Sequence, residues 1–432
     1  MVVLARRILL TRLLVVGAVT LTAAARDAWA QERRPSEPIP LGGVVEPEPA
    51  PPPVVPGVDE GGPALPEAED AGPNIPWLID LHGIYGVTFA RYNRIDGLVP
   101  AWGLDLEPID PGRTPALGGR YARATTHSRA LWNAWIEQRL PLPGEVRLRF
   151  EHFQRAATFD DWRVTEREND LATFLTGSDL MDWWREKGFR VELLGETVDA
   201  RLSGRIALLD ASQRSERDRS PFVLFGGDED FRVNPAIEEG DLRSVTVGGR
   251  LDTRDVQSPL LPAPGWRLAI EIEGAGGPFG ADVDFVRGFV DLRRYMRLGT
   301  DVWWDARLVW MGPLDGDGVP PQRKASLGGP GSLRGFPAAR FVGEEALQVS
   351  TEARFPLPLF RPLDALFLSW HLVGFGDAAA VDDYDRWHAD VGAGVSGINL
   401  FSYVGFFVAQ RVTDTGEPDD GPRFLVRLRR DF

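Results

Sequence analysis

From residue 77 onward, apolar and polar residues change places at every second position. Glu145-Val146-Arg147-Leu148-Arg149-Phe150 alternates strictly, as does Trp266-Arg267-Leu268-Ala269-Ile270-Glu271-Ile272-Glu273. Asp301–Leu308 repeats the pattern with one extra Trp. A period of two puts neighbouring side chains on opposite faces of an extended strand, here one apolar face and one charged face. The segments run for about 10–13 residues. Soluble sheets average about 5–6, whereas a tilted strand needs about 9–11 to cross a bilayer. Trp and Tyr gather near the segment ends, as at a membrane–water belt. The pattern predicts an all-β fold: a transmembrane antiparallel β-barrel over residues 77–432.

Connection lengths extend the prediction. Leu140–Gly144, Val198–Arg201, Arg293–Leu298, Pro356–Pro362 and Ile398–Leu400 are short. Phe159–Gly188, Ser212–Gly240, Gly312–Gly343 and Asp377–Trp387 are long, and Glu166–Glu186 within the first of these reads as a short helix. Short turns on one side and long loops on the other are what outer-membrane barrels show. Thirteen strands follow residue 128. A chain that starts on the short-turn side needs an odd number before that point. Leu78–Arg91, Leu98–Leu106 and Leu117–Arg123 supply three, for sixteen strands, with fourteen as the alternative. The last strand places Phe424, Val426, Leu428 and the final Phe432 on one face, the form of C-terminal signal that barrel chains present to the insertion machinery.

The N-terminal portion reads differently. Arg6, Arg7 and Arg12 precede an uncharged stretch, Leu13–Ala25, and Ala28-Trp29-Ala30 is a small-x-small cleavage site, so residues 1–30 read as a signal peptide. Residues 31–76 hold 13 Pro and no aromatic residue. Such a composition buries too little apolar surface to offset its ordering entropy and predicts a disordered tether. The chain has no Cys, which excludes disulfides and thiol chemistry, and its net charge of −15 argues against a nucleic-acid partner. The expected location is the outer membrane of a Gram-negative bacterium, with outer-membrane lipid as a partner.

One long connection carries specific chemistry. Ser326-Leu327-Gly328-Gly329-Pro330-Gly331-Ser332-Leu333-Arg334-Gly335-Phe336 precedes the final strands. Gly328, Gly329, Gly331 and Gly335 permit tight positive-φ turns, suited to a hairpin folded back into a lumen. An Arg lowered into a barrel needs carboxylate partners, because a buried unpaired charge costs several kcal/mol. Leu347, Val349, Ala353 and Phe355 face lipid by parity, which turns Glu352 inward. Leu366, Leu368, Trp370 and Leu372 do the same for Asp377. Arg334 is therefore expected to pair with Glu352, Asp377 or both, and Phe336 to pack on the inner wall. The competing arrangement leaves Arg334 in a solvated loop, with Glu352 paired to Arg354.

This block, with Phe341-Val342-Gly343-Glu344-Glu345-Ala346-Leu347 and Glu352-Ala353-Arg354-Phe355-Pro356 after it, closely resembles the bacterial surface antigen domain. That domain is the barrel of the BamA/TamA superfamily of outer-membrane assembly and translocation proteins. Leu251-Asp252-Thr253-Arg254-Asp255 and Tyr92-Asn93-Arg94-Ile95-Asp96-Gly97-Leu98 resemble further segments of the family. The resemblance implies insertion or translocation of protein or lipid, with unfolded outer-membrane or secreted clients as partners, a lateral seam between first and last strands, no cofactor and no covalent catalysis. Where most members carry periplasmic docking modules, only the Pro-rich 31–76 stands here. A passive channel or structural barrel is the alternative function. A hydrolase built on Ser369, His371 and Asp377, which share a face, is a further one. Asp315-Gly316-Asp317-Gly318 lacks the spacing of a calcium loop, so no metal site is expected.

Overall fold

Alternation becomes architecture in the computed structural model, which describes residues 76–83, 87–219, 221–225, 231–254, 263–299, 301–316, 318–357, 369–398, 403–413 and 421–428. Seventeen strand segments form one antiparallel sheet. They are β1 (Trp77–Leu81), β2 (Val87–Asn93), β3 (Gly97–Pro108), β4 (Ala116–Arg123), β5 (Ala130–Arg139), β6 (Glu145–Ala157), β7 (Trp184–Glu196), β8 (Leu202–Ser215), β9 (Gly240–Asp252), β10 (Gly265–Ala275), β11 (Phe285–Leu298) and β12 (Val302–Pro313), then β15 (Ala346–Pro356), β16 (Ser369–Val381), β17 (Trp387–Ile398), β18 (Tyr403–Arg411) and β19 (Arg423–Arg427). Two short strands, β13 (Ala325–Leu327) and β14 (Phe341–Gly343), pair only with each other.

The first two segments share one place in the sheet. β1 pairs with the second half of β3, from Trp77 opposite Pro108 to Leu81 opposite Leu104. β2 pairs with the first half, from Asn93 opposite Gly97 to Val87 opposite Trp102. The seventeen segments therefore occupy sixteen positions, and the predicted strand Leu78–Arg91 is interrupted rather than continuous.

The long strands turn an apolar face outward, although Val373 and Phe375 on β16 and Phe407 on β18 are buried. On β15, Val349 and Phe355 are 42% and 43% exposed, whereas Gln348, Ser350, Glu352 and Arg354 are 2%, 1%, 3% and 3% exposed. A soluble sheet would show the reverse. Trp266 and Trp304 are exposed near the short-turn end, and Tyr121 and Trp387 near the long-loop end. These are the two aromatic belts of a membrane barrel.

Some boundaries differ from the sequence prediction. Asp377 lies within β16, which continues to Val381, so the expected long loop 377–387 shrinks to residues 382–386. The run Ala378-Ala379-Ala380 has no polar partner to mark a period, which hid the strand. The expected helix is shorter than Glu166–Glu186: helix α1 spans Glu166–Thr176, opened by a Thr165/Glu168 capping box and closed by Gly177 at φ +71°. The predicted signal peptide, residues 31–75 of the tether, Phe432 and most of the 356–362 turn lie outside the described residues. Of the C-terminal pattern, Phe424 and Val426 face outward at 67% and 42% exposure, and Leu428 is half-buried.

Candidate functional site

The connection from β12 to β15 folds over the lumen. Its base is the β13–β14 ladder, with Ala325 opposite Gly343 and Leu327 opposite Phe341. Beyond it the backbone turns sharply. Gly328, Gly329 and Gly331 have φ of +111°, +83° and +85°, a region open to glycine at little cost. At Gly331 space is as restrictive as angle: a Cβ would lie 1.9 Å from the Arg163 carbonyl oxygen. Gly335 departs from expectation, since it is not among the positive-φ glycines. It is small because a Cβ would come 2.7 Å from the Asp390 Cβ and 3.2 Å from the Arg411 nitrogen.

This course presents Arg334 to the barrel wall at 1% exposure. Its Nε and Nη2 donate to Asp377 at 2.7 and 3.0 Å, and its Nη1 donates to Glu352 at 2.9 Å. The guanidinium also lies 3.5 Å from the Phe375 ring centroid. The Asp377 contact is the two-point geometry that makes Arg–carboxylate pairs strong and directional. Glu352 is shared, because its other oxygen meets Arg354 at 2.7 Å, and Arg354 continues to Asp305. The two arrangements weighed from the sequence for Glu352 thus coexist. Phe336 packs edge-on against Phe341 at 5.2 Å and His388 at 6.0 Å, under the Arg411 guanidinium. Leu333 and Phe336 join a buried apolar cluster with Trp162, Val309, Met311 and Leu327.

Support from the opposite side was not read from the sequence. Residues 158–165 enter beneath the hairpin. Arg163 donates to Asp160 at 2.9 Å, to the Leu180 carbonyl at 2.6 Å and to the Gly328 carbonyl at 3.3 Å. Arg307 on β12 donates to Asp291 and to the carbonyls of Trp162 and Gly331. Arg94, fully buried, reaches Asp182 at 2.9 Å, Asp218 at 3.0 Å and Asn234 at 2.8 Å, tying three connections together. The sequence signal for this network is weak: Arg163 and the partners of Arg94 sit in polar, acid-rich segments with no strand period.

Helix α1 touches both ends of the barrel chain. Glu166 pairs with Arg91 at 2.7 Å, Asp170 accepts from the Tyr92 amide at 3.0 Å, and the Phe174 ring meets Tyr92 edge-on at 5.3 Å, all on β2. Glu168 accepts from Arg427 at 2.9 Å and from the Leu428 amide at 2.8 Å, at the end of β19. Burial pushes the Asp170 carboxyl up to about 7, against the opposing pull of the Tyr92 amide and Arg91.

The rival constellations fare differently. Asp377 is six residues from His371 on an extended strand, about 20 Å away at roughly 3.4 Å per residue, and both its oxygens accept from Arg334. It cannot orient that histidine, so the Ser369, His371 and Asp377 triad does not form. Among the described residues no group of three His, Asp or Glu side chains is placed to hold a metal ion.

Comparison with known proteins agrees with the fold. Residues 229–399 match the Omp85 superfamily domain. BamA from Haemophilus ducreyi lacking POTRA domains 1–3 aligns at 16% identity with a TM-score of 0.55, covering 78% of this chain and 68% of that one. CdiB from Acinetobacter baumannii aligns at 13% identity and a TM-score of 0.41, covering 82% and 66%; CdiB from Escherichia coli aligns at 13% and 0.43, covering 79% and 60%. No curated protein matches the chain. With its sixteen strand positions and its inward hairpin bearing Arg334, the chain is a barrel of the BamA fold in which residues 229–399 match the Omp85 superfamily domain.

Proposed function

We propose that this protein resides in the outer membrane of a Gram-negative bacterium and acts there in inserting or translocating protein (or lipid), without covalent chemistry. The observation that carries the proposal is the Arg334 hairpin, bound to Asp377 and Glu352 within an Omp85-type barrel. Three charge-assisted hydrogen bonds hold one loop in a fixed place inside the lumen. The wall beside it is continuously paired from β12 through β15 and β16 to β17, while β2 and β19 are neighbours in the sheet. A strand edge with few ladder bonds at such a junction would accept a partner strand, which is the physical requirement for adding a client chain. Outer-membrane lipid and unfolded clients are the partners this role requires, and barrel insertion machinery acts on the chain during its own biogenesis.

The test is reconstitution. Full-length protein in liposomes is mixed with an unfolded outer-membrane barrel, and folding is followed by its resistance to heat in gel electrophoresis. The proposal expects faster client folding than in empty liposomes, with the gain lost in Arg334→Ala. Equal folding with and without the protein, together with a steady single-channel conductance in planar bilayers, favours a passive channel and overturns the proposal.

A further inference from the structure

Below the hairpin, toward the short-turn end, the lumen holds a chamber of about 720 Å³. Its wall is formed mainly by β6 to β11. Nine arginines and six carboxylates line it, an excess of three positive charges in a chain whose net charge is −15. Between the long side chains the floor is small: Ala207, Thr246, Gly248 and Ala269 leave the space open.

The arrangement of the arginines is costly as it stands. Arg267 on β10 sits directly opposite Arg293 on β11, and Arg293 directly opposite Arg307 on β12. Arg250 on β9 faces Ala269, one inward position from Arg267, and Arg205 on β8 faces Gly248, one inward position from Arg250. Like charges directly opposed across a ladder destabilise it. The carboxylates nearby are already engaged. Asp291 is shared between Arg293 at 2.7 Å and Arg307 at 2.9 Å. Glu271 takes Arg205 at 2.6 Å, Asp252 takes Arg254 at 2.7 Å, and Glu273 binds both Arg287 and Arg323. Among the described residues, neither Arg190 on β7 nor Arg250 forms an ion pair. Four of the six lining carboxylates, Glu186, Glu271, Glu273 and Asp291, are held by arginines, and with Asp161 and Glu196 counted the recess still keeps three positive charges in excess.

We propose that this chamber binds a phosphate-bearing oligoanion. Adjacent strands are about 4.8 Å apart, so arginines on four neighbouring strands spread positive charge over roughly 15 Å. That span suits several linked anionic groups better than one small ion. Each phosphate monoester carries about −1.5 to −2 at neutral pH, so two such groups cancel the excess. The planar guanidinium fork matches phosphate oxygens in two-point contact. The ligand enters from the short-turn side, and the chemistry is shared by two sources, a soluble polyphosphate and a phosphorylated lipid head group.

The experiment uses the full chain in neutral detergent micelles. Sodium tripolyphosphate and dihexanoyl phosphatidylinositol 4,5-bisphosphate, whose head group carries linked phosphates, are titrated separately by calorimetry at low salt, with dihexanoyl phosphatidylcholine as the zwitterionic control. The expected result is saturable one-site binding of at least one phosphate probe and none of the control, weakened at least tenfold by raised salt. Binding of tripolyphosphate alone assigns the site to a soluble ligand, and binding of the lipid alone assigns it to a head group. In Arg190→Gln/Arg250→Gln, affinity drops tenfold or more while Arg250→Lys retains most of it. Because neither arginine forms an ion pair, although Arg190 faces Glu151 across the ladder, the double variant is expected to stay folded, with a thermal midpoint without ligand near that of the parent, which separates lost binding from lost folding. Absence of saturable binding by both probes, or equal affinity in parent and double variant, overturns the proposal.

Discussion

Replacing Arg334 by Ala isolates the hairpin's anchor. The substitution removes three charge-assisted hydrogen bonds, at 2.7, 2.9 and 3.0 Å, and the contact with the Phe375 ring. It leaves Asp377, 3% exposed, without its cation, directly opposite the equally buried Asp390 on β17. Glu352 keeps Arg354. Removing one member of a buried pair costs about 3–5 kcal/mol, and at about 1.4 kcal/mol per tenfold that raises the lifted population by roughly two to four powers of ten. The chain has no Cys, so a single Ser332→Cys change makes a unique reporter inside the hairpin, where Ser332 is 1% exposed. Maleimide labelling of Ser332→Cys is then compared with Ser332→Cys/Arg334→Ala, in folded barrels shown intact by gel mobility. Labelling is expected to accelerate at least a hundredfold, with Arg334→Lys between, since an ammonium cannot span both Asp377 oxygens and Glu352. Acceleration of less than threefold would refute the claim that this residue holds the loop.

Three further outcomes follow from the geometry. Gly331→Ala places a methyl 1.9 Å from the Arg163 carbonyl at a φ of +85°, so it is expected to lift the hairpin as Arg334→Ala does, by roughly 1–3 kcal/mol in the same labelling assay. Glu168→Ala removes the acceptor for Arg427 and the Leu428 amide as well as the capping box of α1; hydrogen exchange of β19 is expected to speed at least tenfold, while that of β8 to β11 stays unchanged. The third outcome concerns pH. The folded carboxyl of Asp170 lies near 7, above its ordinary 3.8, so folding takes up a proton there. The resulting stabilisation is complete below about pH 4 and is lost as pH rises through 7. Protection of α1, corrected for intrinsic exchange, is expected to fall between pH 6 and 8, and Asp170→Asn to remove that dependence; an unchanged slope in the Asn variant contradicts the assignment.

Legibility tracked the strength of local rules. A lipid-facing strand must alternate, so parity alone was enough to turn Glu352 inward from Val349 and Phe355, and the same rule applied to Asp377 from Trp370 and Leu372. Connection lengths carried the strand number, because β1 and β2 fill one place against β3 even though the run between them breaks. Where side chains are small the rule lapses, and Ala378-Ala379-Ala380 carries no alternation that separates strand from loop. Gly335 was misjudged for a related reason: a glycine needed for space looks identical in sequence to one needed for a positive φ, and only the approach of Asp390 and Arg411 distinguishes them. Contacts of Arg163, Arg94 and α1 are set by which distant loops meet above the lumen, and no local pattern encodes that meeting.

The placement of α1 has a consequence for how the molecule is made. Glu168 emerges from the ribosome 259 residues before Arg427, the cation it grips, and Arg334 precedes both Glu352 and Asp377. Glu168 thus waits for its cation until the final strand arrives, whereas the partners of Arg334 follow it within 43 residues. Contacts of such long sequence separation form late, because the loop entropy must be overcome first. Docking of α1 on the last strand is therefore a closing event of biogenesis, and a chain truncated before Arg427 is left with that clasp undone.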